Sequence, residues 1–280
     1  MKAGQVAVIT GAGSGIGRAL AQLLDARGCE LVLADVNASG LDETQASLKR
    51  KATLQTLDVS KREQVEALAA SVERQHGRVD LVVNNAGVTV HDTVEHVSYE
   101  DFEWVMNINF WGVVYGTKAF LPAMVKRKSG VIANVSSIFG IVGWPLQSAY
   151  NASKFAVRGF TEVLWRELKG TGVRAVTIHP GGIKTNIVRS MRFRRGANED
   201  ANHDSTTRLF DKMARTTPAQ CAEIIVGGLE RGDKRILVGA DAVMLDRLQR
   251  TSPTGYPSVI EYFEKRVEAR HAKKKKKSTS

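Results

Sequence analysis

The chain has 280 residues, 43% of them hydrophobic and 25% charged, with a net charge of +11. The hydrophobic share supplies a sizeable core and excludes a wholly disordered or collagen-like chain. Cys29 and Cys221 are the only two cysteines, too few for a disulfide scaffold or a four-cysteine zinc site, and a reducing compartment fits. At roughly 150 residues per domain, one or two domains are expected. The longest apolar stretch, Val131 to Trp144, is interrupted by Asn134, Ser136 and Ser137 and falls short of the ~20 residues of a membrane span. Met1 to Gln5 lead directly into a strand-like run, so no signal peptide is expected and a soluble, cytoplasmic protein is the reading.

Apolar runs and helical patterns alternate along the chain. Val6–Ile9 reads as a strand, Ile16–Ala26 as a helix, Leu31–Ala34 as a strand and Leu41–Lys51 as a helix. Ala52–Leu57 follows as a strand, Arg62–Gln75 as a helix, Val79–Val83 as a strand and Phe102–Val125 as a long helix. Val131–Val135 and Val173–Ile178 read as strands on either side of a long helix, Ala149–Leu168. Ala219–Leu229 is a helix and Arg235–Val238 a seventh strand. Short buried strands alternating with helices predict an α/β fold: a doubly wound, seven-stranded parallel sheet with helices on both faces, a Rossmann fold. Residues 1–240 would form it, residues 241–272 a C-terminal helical extension with helices near Ala240–Arg250 and Val259–Ala272, and residues 273–280 a disordered basic tail. In such sheets ligands bind beyond the carboxyl ends of the strands. Ile187–Thr217 breaks the rhythm: it is polar, irregular and holds seven Lys or Arg, a lid or a loose loop.

Thr10-Gly11-Ala12-Gly13-Ser14-Gly15-Ile16-Gly17 follows the first strand and opens the first helix. Glycines there let the backbone turn tightly and approach a pyrophosphate, and the helix N-terminus offers free N–H groups to it. The spacing is T-G-x-x-x-G-x-G rather than G-x-G-x-x-G. Asp35 ends the second strand, eighteen residues after Gly17. A carboxylate there accepts hydrogen bonds from a ribose and repels a 2′-phosphate, and no Lys or Arg stands at Val36, Asn37 or Ala38, so NAD is read in preference to NADP. Asp58 and Val59, after the third strand, could meet the adenine.

Asn84-Asn85-Ala86-Gly87 ends the fourth strand, Asn109 lies within the long helix, Ser136-Ser137 ends the fifth strand, and Tyr150-Asn151-Ala152-Ser153-Lys154 opens the next helix. Together with the glycine loop, these motifs from Gln5 to about Val238 resemble the short-chain dehydrogenase/reductase family in its compact, single-domain branch. Tyr150 and Lys154 are four apart and share one helix face. An ammonium beside a phenol favours the phenolate, which suits the pair to proton transfer with an alcohol or a ketone.

Carried over by position, the resemblance implies Tyr150 as general acid/base and Lys154 as the residue that lowers its pKa and holds the nicotinamide ribose. It implies Ser137 as donor to the substrate oxygen, chosen over Ser136 because it lies thirteen residues before Tyr150. Asn109 would position a water linking Lys154 to solvent. Gly11, Ser14, Gly15, Ile16, Gly17, Asp35, Asp58, Val59, Asn85, Ala86 and Gly87 would hold the cofactor, with Asn85 mainly tying neighbouring strands together. His179-Pro180-Gly181-Gly182-Ile183-Lys184-Thr185 matches the family's Pro-Gly segment, where Pro180, Ile183 and Thr185 would hold the carboxamide end. A dimer or tetramer paired through the two long helices is also implied.

Val88, Trp144, Gln147, Ile187 and Met191 are read as an apolar cleft wall, which favours a hydrophobic alcohol or ketone, steroid-, retinoid-, aryl- or lipid-like. Arg189, Arg192, Arg194 and Arg195 could meet an acidic substrate or form a solvated face. The six histidines show no ligand spacing, and no metal is expected. The leading reading is an NAD-dependent oxidoreductase of such alcohols. The alternatives are an NADP-dependent 3-oxoacyl thioester reductase, with the same catalytic residues, and an NAD(H)-sensing binding protein. Lys273 to Lys277 carry five of the positive charges and leave +6 on the body. With no aromatics interleaved they predict no specific nucleic-acid binding and at most a weak electrostatic membrane contact.

Overall fold

A computed structural model describes residues 1–194, 206–208, 210 and 214–261. The alternation expected from the sequence is present. Strands β1 (Val6–Thr10), β2 (Glu30–Asp35), β3 (Thr53–Thr56) and β4 (Leu81–Asn84) are separated by helices α1 (Gly15–Ala26), α2 (Ala38–Ala46) and α3 (Arg62–His76). A short strand β5 (Val90–His91), helices α4 (Tyr99–Met106) and α5 (Gly112–Arg127), strand β6 (Gly130–Val135) and helix α6 (Ser148–Glu167) follow. Strand β7 (Val173–Pro180), a short strand β8 (Arg192–Phe193), helix α7 (Pro218–Arg231), strand β9 (Arg235–Val238) and helix α8 (Ala240–Thr251) complete the order.

Seven strands form one parallel sheet in the order β3-β2-β1-β4-β6-β7-β9. Side chains alternate between its faces, so two cores arise. Ile9, Leu33, Val83, Val176 and Ile178 pack under α1 and α7 with Leu20, Leu24 and Ile225, whereas Val8, Val82, Ile132 and Ala175 pack under α3, α5 and α6 with Leu68, Phe120 and Leu164. The order reverses between β1 and β4, and ligands of such sheets bind at that switch point.

Three elements differ from expectation. α2 starts three residues before Leu41, because the Asn37 side chain accepts from Gly40 N at 3.1 Å and caps it there. The long helix expected over Phe102–Val125 is interrupted by a π turn, Asn107–Trp111, centred on the fully buried Asn109. The start of the polar insertion is a strand: β8 pairs with β5 through Val90↔Arg192 and His91↔Phe193. The rest of the insertion, where Arg195 falls, lies largely outside the described residues, as do most of the expected helix near Val259–Ala272 and the Lys273–Lys277 run. α8 matches the helix expected near Ala240–Arg250, and the Tyr256 hydroxyl beyond it accepts from Gly143 N at 2.9 Å. No helix among the described residues is long and apolar enough to cross a membrane.

Candidate active site

At the switch point the glycine loop turns through Gly11 at φ +65°, and a Cβ there would stand 2.8 Å from the Cα of Ala86. Only glycine permits that approach of β1's exit to β4's exit. Asn85 fastens the two together: its Nδ2 donates to Thr10 O at 2.9 Å and Gly11 O at 3.1 Å, and its N donates to Thr10 Oγ1 at 3.0 Å. This is the strand-tying role expected for Asn85. Ser14 is the N-cap of α1, its side chain caps nothing, and no acidic residue stands in the first turn. The first-turn N–H groups therefore face outward as an anion cradle. Asp35 stands beside it, accepting from Gly13 N at 2.8 Å and Asn37 N at 2.9 Å. Arg18, which the sequence reading passed over, reaches the same corner, where its guanidinium is engaged by Glu43 at 2.7 Å and by Thr44 at 3.0 Å.

Asp58 serves its own turn, its carboxylate accepting from Ser60 N at 2.9 Å, while Val59 is buried against Gly112. On the other side Thr185 lies against the loop, its methyl 3.2 Å from where a Gly15 Cβ would stand. The Ile183 side chain is buried in the core and its carbonyl accepts from Thr185 N at 2.8 Å. Asp241, at the start of α8, accepts from Gly182 N at 2.6 Å and holds the turn after Pro180. Its sequence signal is only an acidic residue in a helix's first turn.

The predicted chemical residues converge. Ser137 hydrogen-bonds the Tyr150 hydroxyl, and Lys154 Nζ lies 5.5 Å from the centre of the Tyr150 ring. Lys154 Nζ donates to Val135 O at 2.9 Å, and Ser136 Oγ to Lys154 O at 2.8 Å, so α6 is pinned to the end of β6. Gly87 closes the group: a Cβ on it would stand 3.3 Å from Asn109 Oδ1 and 3.4 Å from Lys154 Nζ. Burial pushes the Tyr150 phenol up to about 12, against the opposing hydrogen bond from Ser137, and pushes the Lys154 ammonium down to about 8. Both ionised forms lose water in the same enclosure, which disfavours the phenolate and the ammonium alike.

The Asn109 amide is engaged by its neighbours. Its Oδ1 accepts from Val88 N at 2.8 Å, and its Nδ2 donates to Val88 O at 2.9 Å and Ser153 Oγ at 3.0 Å. The amide is spent bridging the π turn to the exit of β4 and to α6.

Among the expected wall residues, Val88 packs with Val90, Val105 and Ala149, and Met191 is buried. Ile187 is partly buried beyond Thr185. Trp144 stacks on Phe139 with centroids 5.3 Å apart, and Phe139 meets Tyr150 edge-on at 6.2 Å. The indole thus braces the aromatic group around Tyr150. Gln147 is taken up by neighbours, accepting from Thr89 Oγ1 at 2.5 Å and lying 3.5 Å from His91 Nδ1. Asn151 orders the loop between Ser137 and Tyr150, donating to Phe139 O at 2.7 Å and Val142 O at 2.8 Å; its place inside the Tyr-Asn-Ala-Ser-Lys motif was the available signal. Arg192 and Arg194, read as candidates for an acidic substrate, instead both bind the buried Asp101 at 2.8 Å. Among the described residues no three His, Cys, Asp or Glu side chains cluster to hold a metal.

Known proteins share this fold. The chain matches the family model described as short chain dehydrogenase over residues 5–195. It is 41% identical over 263 residues to the putative oxidoreductase SadH of Mycobacterium tuberculosis, covering 92% of this chain and 94% of that one. A short-chain dehydrogenase/reductase from Burkholderia phymatum, solved in complex with NAD, superimposes with a TM-score of 0.81 at 31% identity, covering 89% of this chain and 94% of that one. A metagenomic short-chain oxidoreductase solved with NADP gives a TM-score of 0.68 at 26% identity, covering 85% and 97%. By the family-model match, the identity to a relative over most of the chain and the shared fold, the chain belongs to the short-chain dehydrogenase/reductase family of oxidoreductases.

Proposed function

We propose that this protein is an NAD-dependent oxidoreductase that interconverts a hydrophobic secondary alcohol and its ketone, with Tyr150 as general acid/base. The observation that carries the reading is the grouping of Ser137, Tyr150 and Lys154 at the strand ends, one hydroxyl bonded to the phenol and one ammonium below its ring. The chain's residues fit the cofactor: the bare N-terminus of α1 suits a pyrophosphate, and the half-buried Asp35 suits a ribose diol while repelling a 2′-phosphate. When bound, a nicotinamide dinucleotide supplies the hydride donor or acceptor and, in its oxidised form, a positive charge beside the phenol.

The residues divide the remaining work. Ser137 donates to the substrate oxygen and holds it against the Tyr150 hydroxyl. In reduction Tyr150 gives its proton to the carbonyl oxygen, a role suited to a phenol that burial keeps protonated. In oxidation Tyr150 takes the alcohol proton, and Lys154 stabilises the phenolate through its charge. The aromatic and aliphatic side chains of Trp144, Phe139, Val88 and Ile187 support an apolar substrate. We further propose a homo-oligomer paired through α5, with the π turn that precedes it, and α6, which together expose Trp111, Val125, Phe155 and Val163.

The test is nicotinamide absorbance over a panel of secondary alcohols, ketones and 3-oxoacyl thioesters, with NAD(H) and NADP(H) in parallel. Turnover of apolar alcohols with NAD is expected, and Tyr150→Phe should lower kcat/KM by roughly 10²–10⁴-fold. Asp35→Ala should narrow the preference for NAD over NADP by on the order of tenfold, equivalent to about 1.4 kcal/mol. Turnover with NADP and thioesters alone would replace this reading with a 3-oxoacyl reductase.

A further inference from the structure

The chemistry proposed above leaves a buried titratable side chain beside Ser137 without a duty. His179, next to last in β7, is fully buried, and its Nδ1 lies 3.0 Å from the carbonyl oxygen of Ser137. A carbonyl only accepts, so Nδ1 carries the proton and Nε2 presents a lone pair. Gly140 N donates to the same carbonyl at 2.9 Å, so both lone pairs of the Ser137 oxygen are occupied. Ser137 Oγ in turn accepts from Phe139 N at 3.1 Å. Ser137 is therefore held by three donors, two on its carbonyl and one on its hydroxyl, and only one of the three is a side chain.

The far edge of the imidazole explains why a histidine stands there. Nε2 is enclosed and has no partner among the described residues, and the same is true of Thr177 Oγ1 and Arg235 Nε. Thr177 precedes His179 by two residues and so shares its face of the sheet, and Arg235 lies beside Thr177 in register. One acceptor and two donors thus share a single buried polar face. The charged groups around the ring come from three elements: Arg235 on β9 and Arg158 on α6 disfavour protonation, and Asp246 on α8 favours it. With burial as the largest effect, the pKa is pushed down to about 4.

We propose that His179 is a positioning residue for Ser137: as a neutral Nδ1–H imidazole it fixes the Ser137 peptide plane, and thereby the direction in which the Ser137 hydroxyl meets Tyr150. The proposal rests on the reading that Ser137 and Tyr150 perform the proton transfer.

Two measurements on the full chain test it. In the first, ¹⁵N-labelled histidine spectra, with His179 assigned by its loss in His179→Asn, should show the Nδ1–H tautomer unchanged from about pH 5.5 to 8.5. An Nε2–H tautomer, or titration inside that window, would overturn the proposal. The second compares kcat among variants. His179→Asn, whose amide can place an N–H where Nδ1 stands, should keep kcat within about threefold, while His179→Leu should lose about tenfold or more with KM for the dinucleotide unchanged. Should His179→Leu fail to fold, His179→Gln replaces it, with its amide at the wrong reach and kcat expected well below that of His179→Asn. Equal losses in Asn and Leu (or Gln), or undiminished kcat in Leu, would overturn the proposal. An unmutated protein inactive with every substrate would count against the oxidoreductase reading, while the tautomer spectrum would still decide the role of His179.

Discussion

Lys154 is only 3% exposed, and its one direct polar partner at Nζ is the carbonyl of Val135. Among the described residues no carboxylate pairs with it, so its charge is carried at the expense of stability. With a pKa of about 8 in the folded chain against 10.5 for an ordinary lysine, that expense is on the order of 3 kcal/mol at neutral pH. Lys154→Met therefore raises stability at pH 7 by about 1–2 kcal/mol, after loss of the bond to Val135 O, while abolishing turnover. Between about pH 8 and 10.5 the folded native lysine is neutral and the unfolded one still protonated, so native stability rises with pH and the variant's advantage shrinks. Urea denaturation of both proteins at pH 7 and 10 checks this; a destabilised variant at pH 7 would refute it. A second costly residue stands nearby. Leu146 adopts φ +63°, a left-handed conformation that a γ-branched side chain adopts only with strain, between Trp144 and Gln147. Such strain collects at working sites.

At the scale of elements, two joints shape the site. The π turn at Asn107–Trp111 swings Asn109 inward, so that one amide ties three elements. Asn109→Ala leaves Val88 N, Val88 O and the Ser153 hydroxyl without their partner and should cost about 2–4 kcal/mol in chemical denaturation. A cost below about 1 kcal/mol would show that water replaces the amide. The other joint is the β5·β8 ladder. Asp101, in the first turn of α4, donates its N–H to the capping Ser98 Oγ at 3.1 Å, its carboxylate accepts from Arg192 and Arg194, and Arg192 lies 3.7 Å over the Trp104 ring. The hydrogen bond from Arg194 is the largest influence holding the Asp101 carboxyl below its usual range, opposed by burial and aided by Arg192. Its contribution is full above about pH 4, the ordinary carboxylate value, and is lost as pH falls through the lower folded value. Asp101→Asn should therefore speed amide hydrogen exchange in Val90–His91 and Arg192–Phe193 at pH 7, with the exchange of β6 and β7 unchanged. Unaltered exchange in the two short strands would show that backbone pairing alone holds them. Neither joint was legible beforehand. A π turn has no distinct periodicity over five residues, and two-residue strands carry no alternation to detect. The Asp101–Arg192 pair spans 91 positions.

At the scale of the whole molecule, a polar row crosses the sheet under α6. Asn84, Asn134, Thr177 and Arg235 lie in register on β4, β6, β7 and β9. Asn84 Nδ2 donates to Asn134 Oδ1 at 2.8 Å, and Asn134 Nδ2 donates to Thr161 Oγ1 on α6 at 3.0 Å. This row fixes where α6 sits along the sheet, and α6 carries Tyr150 and Lys154. Asn134→Leu strands a donor on Asn84 and leaves Thr161 unbonded on that side, and should lower stability by about 2–4 kcal/mol. Adding Thr161→Val should recover part of that loss, because one of the unsatisfied groups is removed with it. Full additivity of the two changes in denaturant midpoints would refute the coupling.

What the sequence by itself determined is what rests on local pattern and short spacing. The seven strands follow from apolar runs, the glycine turn and bare helix N-terminus from glycines at a strand–helix junction, and the Tyr150–Lys154 pair from a four-residue helical interval. Ser137 and Asp35 were legible because each ends a strand, and strand ends meet at the ligand edge of a parallel sheet. Tertiary structure alone decided the rest. It made Asn109 a brace, Gln147 a partner of Thr89, Arg192 and Arg194 anchors for an insertion, and Asp241 and His179 supports for the site. It also set the balance at Tyr150, where burial outweighs the hydrogen bond from Ser137. The physical reason is common to these cases. Hydrogen bonding and desolvation depend on which distant groups share an enclosure, and that is set by the register of strands and helices rather than by spacing along the chain.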